Sequence, residues 1–435
     1  MDLVKLDQAT IWHPYTQEQT APDPILIASG EGAVLRTADG RQILDMISSW
    51  WVNLHGHAHP RIAQAIAEQA GKLEQVIFAG YTHEPAIRLA QRLVELLPGD
   101  LSRVFYSDNG STAVEVAMKI AVQYFGNRGE GQRTRFLVFQ GGYHGDTVGA
   151  MSAGATSGFF NAWKSMLFPV ADIPWPGTWL ADEQVEQREA ASLAALERYL
   201  DNYGAETAAM ILEPLVQGAG GMNMARPEFF RQVVARLREA GVLVIFDEVM
   251  TGFGRTGRLF ACDHIAVVPD LVCLSKGITG GFLPLAATVC REDIYRGFLA
   301  ETYDRAFSHG HSYTANPLGC AAALASLELL LEPATRDAWG RITDKHRERL
   351  EELTALPQVQ RARLTGTIAA LDIVGRGSGY TAGIGGRLKA WFAAHELLIR
   401  PLGNVVYLLP PYCTSDEQLD RAWDGVARAI REVAA

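Results

Sequence analysis

Short apolar runs alternate with amphipathic stretches along most of the chain. Apolar runs bounded by turn residues indicate strands that are covered on both faces of a sheet. These runs predict strands at residues 103–108, 134–140, 208–214, 242–249 and 270–276. The stretches between them predict helices at residues 84–97, 109–125, 183–203 and 227–241. Alternation at this spacing predicts an α/β fold with a mostly parallel central sheet in a large domain.

After Thr335 the pattern changes to charged helices and short strands. Helices are predicted at 336–354, 385–397 and 415–434, and strands at 367–374 and, as a pair, within 398–412. Such alternation predicts a smaller α+β domain. A further strand at 285–290 is expected to run antiparallel at the edge of the large sheet. We therefore predict an arm and hairpin at 1–55 that belong to the small domain, a large domain at 56–330, and the small domain proper at 331–435.

An acid and an amine end two of the predicted strands. Asp247 closes the run that starts at Val242, and Lys276 closes the next run. Functional groups of open α/β sheets lie at the carboxyl ends of the strands, so we expect both residues at one rim. A lysine that forms a Schiff base and a carboxylate on the pyridinium nitrogen are what pyridoxal phosphate requires. From these two residues alone, an edge lysine and a solvated acid are equally good interpretations.

Two neighbouring strand ends carry further candidate groups. Gly110, Ser111 and Thr112 open a helix directly after a strand, which predicts a phosphate site made of backbone amides and hydroxyls. The alternative is an ordinary N-cap made by the serine or the threonine. Tyr143 follows the next strand, where an aromatic ring can stack on a flat cofactor, with His144 and Asp146 behind it. Glu213 ends another strand near this rim, without an assigned role.

Two motifs suggest other chemistry and are weaker. Residues 252–257 read GFGRTG, which matches a dinucleotide fingerprint, but no long helix follows to hold a pyrophosphate. His55, His57 and His59 alternate in sequence, but no fourth ligand or supporting acid stands nearby. We expect neither a nicotinamide or flavin site nor a metal site.

Composition narrows the class of protein. The chain has 435 residues and a formal net charge of −10, which argues against nonspecific nucleic-acid binding. No apolar run has the length of a membrane span, and the first residues lack a signal-peptide core. The 5 cysteines are scattered without a C-x-x-C pair, which indicates reduced thiols and a cytoplasmic location.

Several motifs together resemble a known family. DNGSTAVEVAMKIA, GGYHGDT and TGFGRTG, followed by Lys276, are similar to the class III aminotransferases of fold type I, which use pyridoxal 5'-phosphate. The similarity covers nearly the whole chain in the same order. It implies that Lys276 binds the cofactor covalently and moves the proton, that Asp247 pairs with the pyridine nitrogen, and that Tyr143 stacks on the ring. It also implies that Gly110 and Ser111 hold the phosphate.

The resemblance extends to partners and substrates. It implies a homodimer with shared active sites, in which His311 and Ser312 reach the partner subunit's cofactor, Ser312 at its phosphate. IWHPYT, SSWW, QGAGGM and IRPLGNVVYLLPPY resemble the members that pass an amino group from S-adenosyl-L-methionine to 8-amino-7-oxononanoate in biotin synthesis. The residues implied to bind substrate are Tyr15, Trp50, Tyr143, Asp146, Lys276, Gly310 and Arg400. Arg400 would bind the oxononanoate carboxylate, and Asp146 the free amine.

One departure keeps the amino donor open. Many members that use adenosylmethionine have Pro-Thr where this chain has His311-Ser312 after Gly310, and some relatives use lysine. Three other functions share parts of the pattern: a general ω-amine or diamine transaminase, a decarboxylase or mutase with the same cofactor, and a binding protein without catalysis. The presence of both Lys276 and Asp247 argues against the last.

Overall fold

The structure is a computed structural model that describes residues 2–374 and 383–434. Its strands are β1 Ile27–Glu31, β2 Val34–Thr37, β3 Gln42–Asp45, β4 Leu101–Ser107, β5 Arg135–Phe139, β6 Ala171–Ile173, β7 Thr207–Leu212, β8 Val216–Gln217, β9 Asn223–Met224, β10 Leu243–Asp247, β11 Leu271–Leu274, β12 Ala286–Arg291, β13 Val359–Thr365, β14 Ile368–Ile373, β15 Leu397–Leu398 and β16 Val405–Leu408.

The α-helices surround these strands. They are α1 Leu3–Thr10, α2 Ser48–Trp51, α3 Pro60–Ala70, α4 Glu84–Leu96, α5 Gly110–Asn127, α6 Val148–Ala153, α7 Val185–Tyr203, α8 Pro227–Glu239, α9 Cys262–Ile265, α10 Glu292–Arg296, α11 Pro317–Leu331, α12 Pro333–Leu353, α13 Ile384–Ala394 and α14 Asp416–Val433. The long predicted helices and strands are all present, with ends shifted by a few residues.

The central sheet has seven strands in the order β4-β12-β11-β10-β7-β5-β6. Strand β12 is antiparallel to both neighbours and the other pairs are parallel, as an α/β fold predicts. The predicted edge position of 285–290 was wrong. Strand β4 pairs along the outer side of β12 and forms the edge itself. The small apolar residues of β12 fit this interior position, because they are buried on both sides.

Apolar cores cover both faces of the central sheet. The buried face of α5 packs on one side, around Val114, Ala117 and Ala121. On the other side a larger core includes Phe229, Phe230 and Leu237 of α8. Because both faces are dry, polar groups on these strands can reach solvent or a ligand only at the strand ends.

Of the three smaller sheets, β8 and β9 form a pair, and the other two involve the chain's beginning and end. Strands β13, β14 and β16 form one antiparallel sheet, and β15 adds to the β1-β2-β3 sheet in parallel with β3. Two strands are present in the stretch predicted as a strand pair at 398–412, but they do not pair with each other, since β15 and β16 join different sheets. Pro401 lacks a backbone N–H, and Gly403 turns with φ +64°, which ends one strand before the next begins. The domain boundaries at 55 and 330 stay a prediction, which the pairing of β15 with β3 favours.

Helix α11 is the most apolar helix and is largely buried against α3 and α4. Within residues 2–374 and 383–434, no single helix has the length and apolar composition of a membrane span. Helices α11 and α12 meet that description only as a pair, bent by 68°.

Candidate active site

The carboxyl ends of the parallel strands open into a cavity of about 610 Å³. Its walls include the predicted residues Gly110, Ser111, Tyr143, Asp146, Asp247 and Lys276. The sheet order explains this, since β11, β10, β7 and β5 lie side by side and end at one rim. The site predicted from separate apolar runs is therefore one place in the fold.

Lys276 enters the cavity from a constrained backbone. It follows β11 after Ser275 and adopts φ +43°, a left-handed conformation that costs free energy for a residue with a side chain. Its Nζ lies 5.0 Å from the ring centroid of Trp51. Burial lowers the pKa of Lys276, while the charges of Asp247, Glu213 and Asp146 oppose this shift. A lowered pKa leaves a larger fraction of the amine neutral and nucleophilic.

The backbone beneath two neighbouring tryptophans is bent, and their rings differ in burial. Ser48, Ser49 and Trp51 have φ values of +52°, +60° and +67°. The carboxylate of Asp45 supports this bend by accepting from the Ser49 amide at 2.6 Å. Trp51 is buried and donates to the Tyr407 hydroxyl at 2.9 Å, whereas Trp50 is 43% exposed. One ring thus lies against Lys276, and the other faces the entrance.

Asp247 is buried with both carboxylate oxygens held. Its Oδ2 lies 2.7 Å from Nδ1 of His144, and its Oδ1 accepts from the Val249 amide at 3.1 Å. Burial lowers the pKa of His144, but the bond to Asp247 and the charges of Asp247 and Glu213 outweigh it and raise the pKa overall. The sequence placed His144 only behind Tyr143. Its place directly after β5, in the motif GGYHGDT, indicated that His144 lies near the rim. The sequence did not indicate that Asp247 is its hydrogen-bond partner.

Glu213 supports the backbone of the same rim. Its two oxygens accept from the Tyr143 amide at 3.0 Å and the Gly218 amide at 2.9 Å. Burial raises the pKa of Glu213 to about 7, with the charge of Asp247 adding to the shift and that of His144 opposing it. Glu213 therefore fixes the position from which Tyr143 projects.

The amino end of α5 has the features of an anion site. Asn109, rather than Ser111 or Thr112, is the N-cap, and the Thr112 side chain completes a capping box with it, while Ser111 takes no part in the cap. Ser111 Oγ accepts from the Thr147 amide at 2.9 Å and lies 2.7 Å from the Thr147 hydroxyl. A Cβ on Gly110 would lie 2.6 Å from a methyl of Val249, so only glycine fits there. Amides, hydroxyls and the helix dipole together suit a phosphate.

Two tyrosines fix Asp146 at the cavity mouth. The Tyr143 hydroxyl donates to Asp146 Oδ1 at 3.0 Å, and the Tyr15 hydroxyl donates to Oδ2 at 2.8 Å. The Tyr143 ring stacks on Phe160 with 6.0 Å between centroids. Burial raises the pKa of Tyr143, so its hydroxyl keeps its proton and remains a donor. The arm residue Tyr15 is thus joined to the main site.

A second cavity, of about 300 Å³, adjoins the first and contains Arg400. The two share Trp51, Tyr143, Asp146 and Lys276. The Arg400 guanidinium lies 4.6 Å from the ring centroid of Trp50. Among residues 2–374 and 383–434, no carboxylate forms an ion pair with Arg400. A positive charge beside aromatic rings can therefore receive an anionic group from a substrate.

Three predicted residues lie outside both cavities of their own chain. Gly310, His311 and Ser312 belong to an exposed loop before α11. The loop is attached to residues 74–83, since Gln75 Nε2 donates to the Ser312 carbonyl at 2.8 Å. A single chain therefore does not place these residues near Lys276.

Side chains of the dinucleotide-like motif and of the histidine motif form hydrogen bonds with other parts of the protein. Arg255, within residues 252–257, is buried and donates to the carbonyls of Pro410 and Asn53 at 2.8 and 3.1 Å. Helix α9, which follows, is 4 residues long. His55 lies 3.0 Å from Ser326 Oγ, and His57 lies 2.9 Å from Asp45. The described parts of the chain contain no group of three or more His, Cys, Asp or Glu residues that could hold a metal ion.

Comparisons with known proteins agree with this geometry. The family model described as "Aminotransferase class-III" matches residues 15–430. The adenosylmethionine-8-amino-7-oxononanoate aminotransferase of Synechococcus elongatus is 55% identical over 97% of this chain and 99% of its own length. The crystal structure of the enzyme with that name from Methanocaldococcus jannaschii has a TM-score of 0.92 at 35% identity, covering 100% of this chain and 99% of its own.

A third match bears on the cofactor. The crystal structure of an amine transaminase from an uncultivated Pseudomonas species, in its PLP-bound form, has a TM-score of 0.90 at 30% identity. The match covers 98% of this chain and 99% of that one. The matching family and the matching folds therefore agree with a cavity that suits pyridoxal 5'-phosphate.

Proposed function

The chain belongs to the class III aminotransferases, and from this we propose that it moves an amino group from S-adenosyl-L-methionine to 8-amino-7-oxononanoate. The product is 7,8-diaminononanoate, and the reaction is a step of biotin biosynthesis. The observation that carries the proposal is the 55% identity, over nearly the full length of both chains, to an enzyme with that name. The free thiols of all 5 cysteines favour the reducing cytoplasm as its location.

The residues at the cavity fit pyridoxal 5'-phosphate. Ser111, Thr147 and the first amides of α5 would hold the phosphate, Asp247 the ring nitrogen and Tyr143 a ring face. When bound, this cofactor supplies a carbonyl that condenses with amines and a ring that withdraws electrons. Asp247 would accept from a protonated ring nitrogen, and its buried position would make that interaction strong.

Lys276 performs two tasks in this reaction. Its amine would hold the cofactor covalently and would be freed when a substrate amine replaces it. The released amine is then a general base and acid that removes a proton from the α-carbon of the donor and later returns one to the acceptor. The lowered pKa of Lys276 suits this exchange, since both the neutral and the charged amine are needed.

The adjoining cavity fits the acceptor. Arg400 would bind its carboxylate with the planar guanidinium, while Trp50 and Tyr15 cover the alkyl chain. Asp146, held by two tyrosine hydroxyls, would receive its amine. Because the two cavities share Lys276, donor and acceptor use the same place in turn, which predicts ping-pong kinetics.

A homodimer would complete the site. The loop of Gly310, His311 and Ser312 is joined to residues 74–83, and Ile77, Tyr81 and Tyr313 on these segments are 63%, 65% and 65% exposed. Clustered exposed apolar side chains are typical of a protein interface. We propose that this surface packs on a second copy, where Ser312 reaches the partner's phosphate and Gly310 and His311 line the partner's pocket.

Subunit mixing tests the shared site. Lys276→Ala and Ser312→Asp are each expected to lose activity, and mixed dimers of the two are expected to regain it. One of the two sites in a mixed dimer carries both changes, and the other carries neither. Failure of mixing to restore activity, with exchange verified by mass, would contradict the sharing of sites.

A half-reaction assay tests the function. Added S-adenosyl-L-methionine should bleach the visible absorbance of the bound cofactor, and 8-amino-7-oxononanoate should restore it. Bleaching by lysine but not by S-adenosyl-L-methionine would mean that the product is the same and that lysine is the amino donor. This arm is included because His311-Ser312 stands where many adenosylmethionine-using members have Pro-Thr. Bleaching by unrelated amines without recovery on the oxononanoate would replace the proposal with a general amine transaminase.

A further inference from the structure

A strained bend at residues 48–51 carries Trp50 and Trp51 to the substrate cavity. Ser48, Ser49 and Trp51 all have positive φ, and Ser49 combines φ +60° with ψ −85°. Residues with a Cβ adopt such conformations at a cost in free energy, and they keep them only where the surrounding contacts hold them. The bend therefore needs a support, and that support decides where the two rings lie.

Asp45 supplies this support from the end of β3. Its side chain is fully buried. Oδ1 accepts from the Ile47 amide at 3.1 Å, and Oδ2 accepts from the Ser49 amide at 2.6 Å. These two amides lie on either side of Ser48, so one carboxylate fixes the chain both before the bend and within it. Loss of either bond would leave a buried polar group without its partner, which is unfavourable.

His57 is a further donor to Asp45. Its Nε2 lies 2.9 Å from Asp45 Oδ2, and its Nδ1 lies 3.1 Å from Asn53 Nδ2. The Asn53 Oδ1 accepts from the Gly56 amide at 2.8 Å, which fixes the orientation of the Asn53 side chain. A carboxylate only accepts and an amide nitrogen only donates, so His57 donates from Nε2 and accepts at Nδ1. One histidine thus joins the segment 53–57 to the carboxylate under the bend.

The first and last residues of the bend have anchors outside this network. The Ser48 hydroxyl donates to the Leu409 carbonyl at 2.8 Å. The Trp51 indole N–H donates to the Tyr407 hydroxyl at 2.9 Å. Both side chains would therefore keep a partner if the support from Asp45 weakened.

Trp50 depends on Asp45 in two ways. Ser49, directly before it, is held by Asp45 through its amide and its hydroxyl. The Trp50 ring lies 4.6 Å from the Arg400 guanidinium, and Asp45 is the register partner of Leu398, two residues before Arg400, in the pairing of β3 with β15. Asp45 thus places the tryptophan through the bend and the arginine through the sheet.

We propose that Asp45 and His57 are positioning residues that hold the Trp50 ring against the Arg400 guanidinium and so prepare the place where the carboxylate of the acceptor binds. The identity of the acceptor rests on the proposed function, whereas the support of the bend does not. The lining of the two cavities includes neither Asp45 nor His57, so their effect on the acceptor should pass through Trp50.

Amide hydrogen exchange of the full chain, read by mass spectrometry, tests the support without any substrate. His57 is substituted because it is partly exposed, whereas a change at the fully buried Asp45 also endangers folding. His57→Phe keeps a ring and removes both hydrogen bonds, and exchange in residues 46–52 should become at least about fivefold faster. His57→Gln keeps an N–H donor for Asp45 and should stay within about twofold of the wild type.

A matched histidine controls for the substitution itself. His395 follows α13 and is likewise half-buried, and His395→Phe should leave exchange in residues 46–52 unchanged. Unchanged exchange in His57→Phe, or equally fast exchange in His395→Phe, would overturn the proposal.

Kinetics tests the consequence for binding. In His57→Phe, KM for the oxononanoate should rise about five- to tenfold, while kcat and the donor half-reaction should change less than about twofold. Trp50→Ala should also raise this KM, and adding His57→Phe to it should cost less than about a further twofold, because both changes act on the same ring. His57→Gln should restore the wild-type KM.

Two kinetic outcomes would contradict the proposal. Equal losses in both half-reactions would mean that His57 has a general structural role. Multiplied effects of His57→Phe and Trp50→Ala would mean that His57 does not act through Trp50. If the wild type does not accept the oxononanoate while exchange rises in His57→Phe, the proposed function falls and the support of the bend by Asp45 and His57 stands.

Discussion

The floor and the mouth of the cavity are built in opposite ways. The floor consists of ionisable groups at adjacent strand ends, Asp247, His144 and Glu213, which are buried and fully held. The mouth consists of aromatic and cationic side chains from the arm, the bend at Trp50 and the segment of Arg400, and these are partly exposed. The floor comes from one sheet in one chain. The mouth needs distant segments and, in our proposal, a second chain.

This difference separates chemistry from selectivity. Changes to the floor should affect every substrate alike, because its groups act on the cofactor. Changes to the mouth should affect one substrate more than another, because its groups bind parts of the substrate that do not react. Each of the following changes tests this division.

The largest effect is expected from Lys276→Ala. Loss of the only proposed covalent anchor and proton carrier should lower turnover by on the order of 10⁴-fold with either substrate and abolish the visible absorbance of the bound cofactor. Spectra and single-turnover rates measure both effects. The exposed Lys164→Ala is the matched control and should leave both unchanged. An unchanged spectrum in Lys276→Ala would mean that Lys276 does not bind the cofactor.

Asp247→Asn should be the next most severe. The amide cannot stabilise a protonated ring nitrogen, so kcat should fall on the order of 10²- to 10³-fold in both half-reactions. Stopped-flow measurement of each half-reaction provides the test. Asp172→Asn, on the exposed edge strand β6, is the control. A loss confined to one substrate would mean that Asp247 acts at the mouth.

Arg400→Ala should separate the substrates. Loss of a charged hydrogen bond to a carboxylate costs about 1.5 to 3 kcal/mol, so KM for the oxononanoate should rise roughly 10- to 100-fold. The donor half-reaction should change less than about threefold. Arg400→Lys should be intermediate, since it keeps the charge and loses the planar fork. Equal losses in both half-reactions would contradict the role of a carboxylate clamp.

The smallest expected effect concerns stability rather than rate. Glu248 accepts from the amides of Ala261 and Cys262, and burial raises its pKa to about 7. A carboxyl whose folded pKa exceeds its unfolded value binds a proton more tightly when folded, so its contribution to stability falls as pH rises from about 4.5 to about 7.

Glu248→Gln removes that titration and should reduce the difference in Tm between pH 5 and pH 7.5. The contribution is on the order of 1 to 3 kcal/mol, and scanning calorimetry at both pH values measures it. Surface Glu68→Gln is the control, and it should keep the wild-type difference. An unchanged difference in Glu248→Gln would mean that Glu248 does not titrate in this range.

The sequence predicted the floor better than the mouth. Apolar runs revealed which residues end strands, and the rule for open sheets put Asp247, Tyr143 and Lys276 at one rim. The contact between His144 and Asp247 could not be predicted from apolar runs, because it depends on which strand ends are neighbours in the sheet. The edge position predicted for β12 was wrong for the same reason. An apolar run has the same sequence pattern inside a sheet and at its edge, so the pattern does not reveal the strand order.

The residues of the mouth were predicted mainly from the family resemblance. Arg400 and Tyr15 lie in segments without periodicity, and their meeting depends on how the arm and the small domain fold over the rim. The two strands predicted within 398–412 are present, but the sequence could not show that they join different sheets, since two apolar segments around Pro401 can belong to one sheet or to two.

The buried Arg255 has a consequence for how substrates enter. It joins the loop at 252–257 to the carbonyls of Pro410 and Asn53, and separating these segments would remove both hydrogen bonds from a buried guanidinium. A wide separation of these three segments is therefore costly. Helix α1 of the arm has no buried residue within its own chain, and Tyr15 is held to the rim by its hydroxyl bonds to Asp146 and by the packing of its ring against Trp50. We therefore expect substrates to enter by displacement of this arm, while the segments that Arg255 joins stay in place.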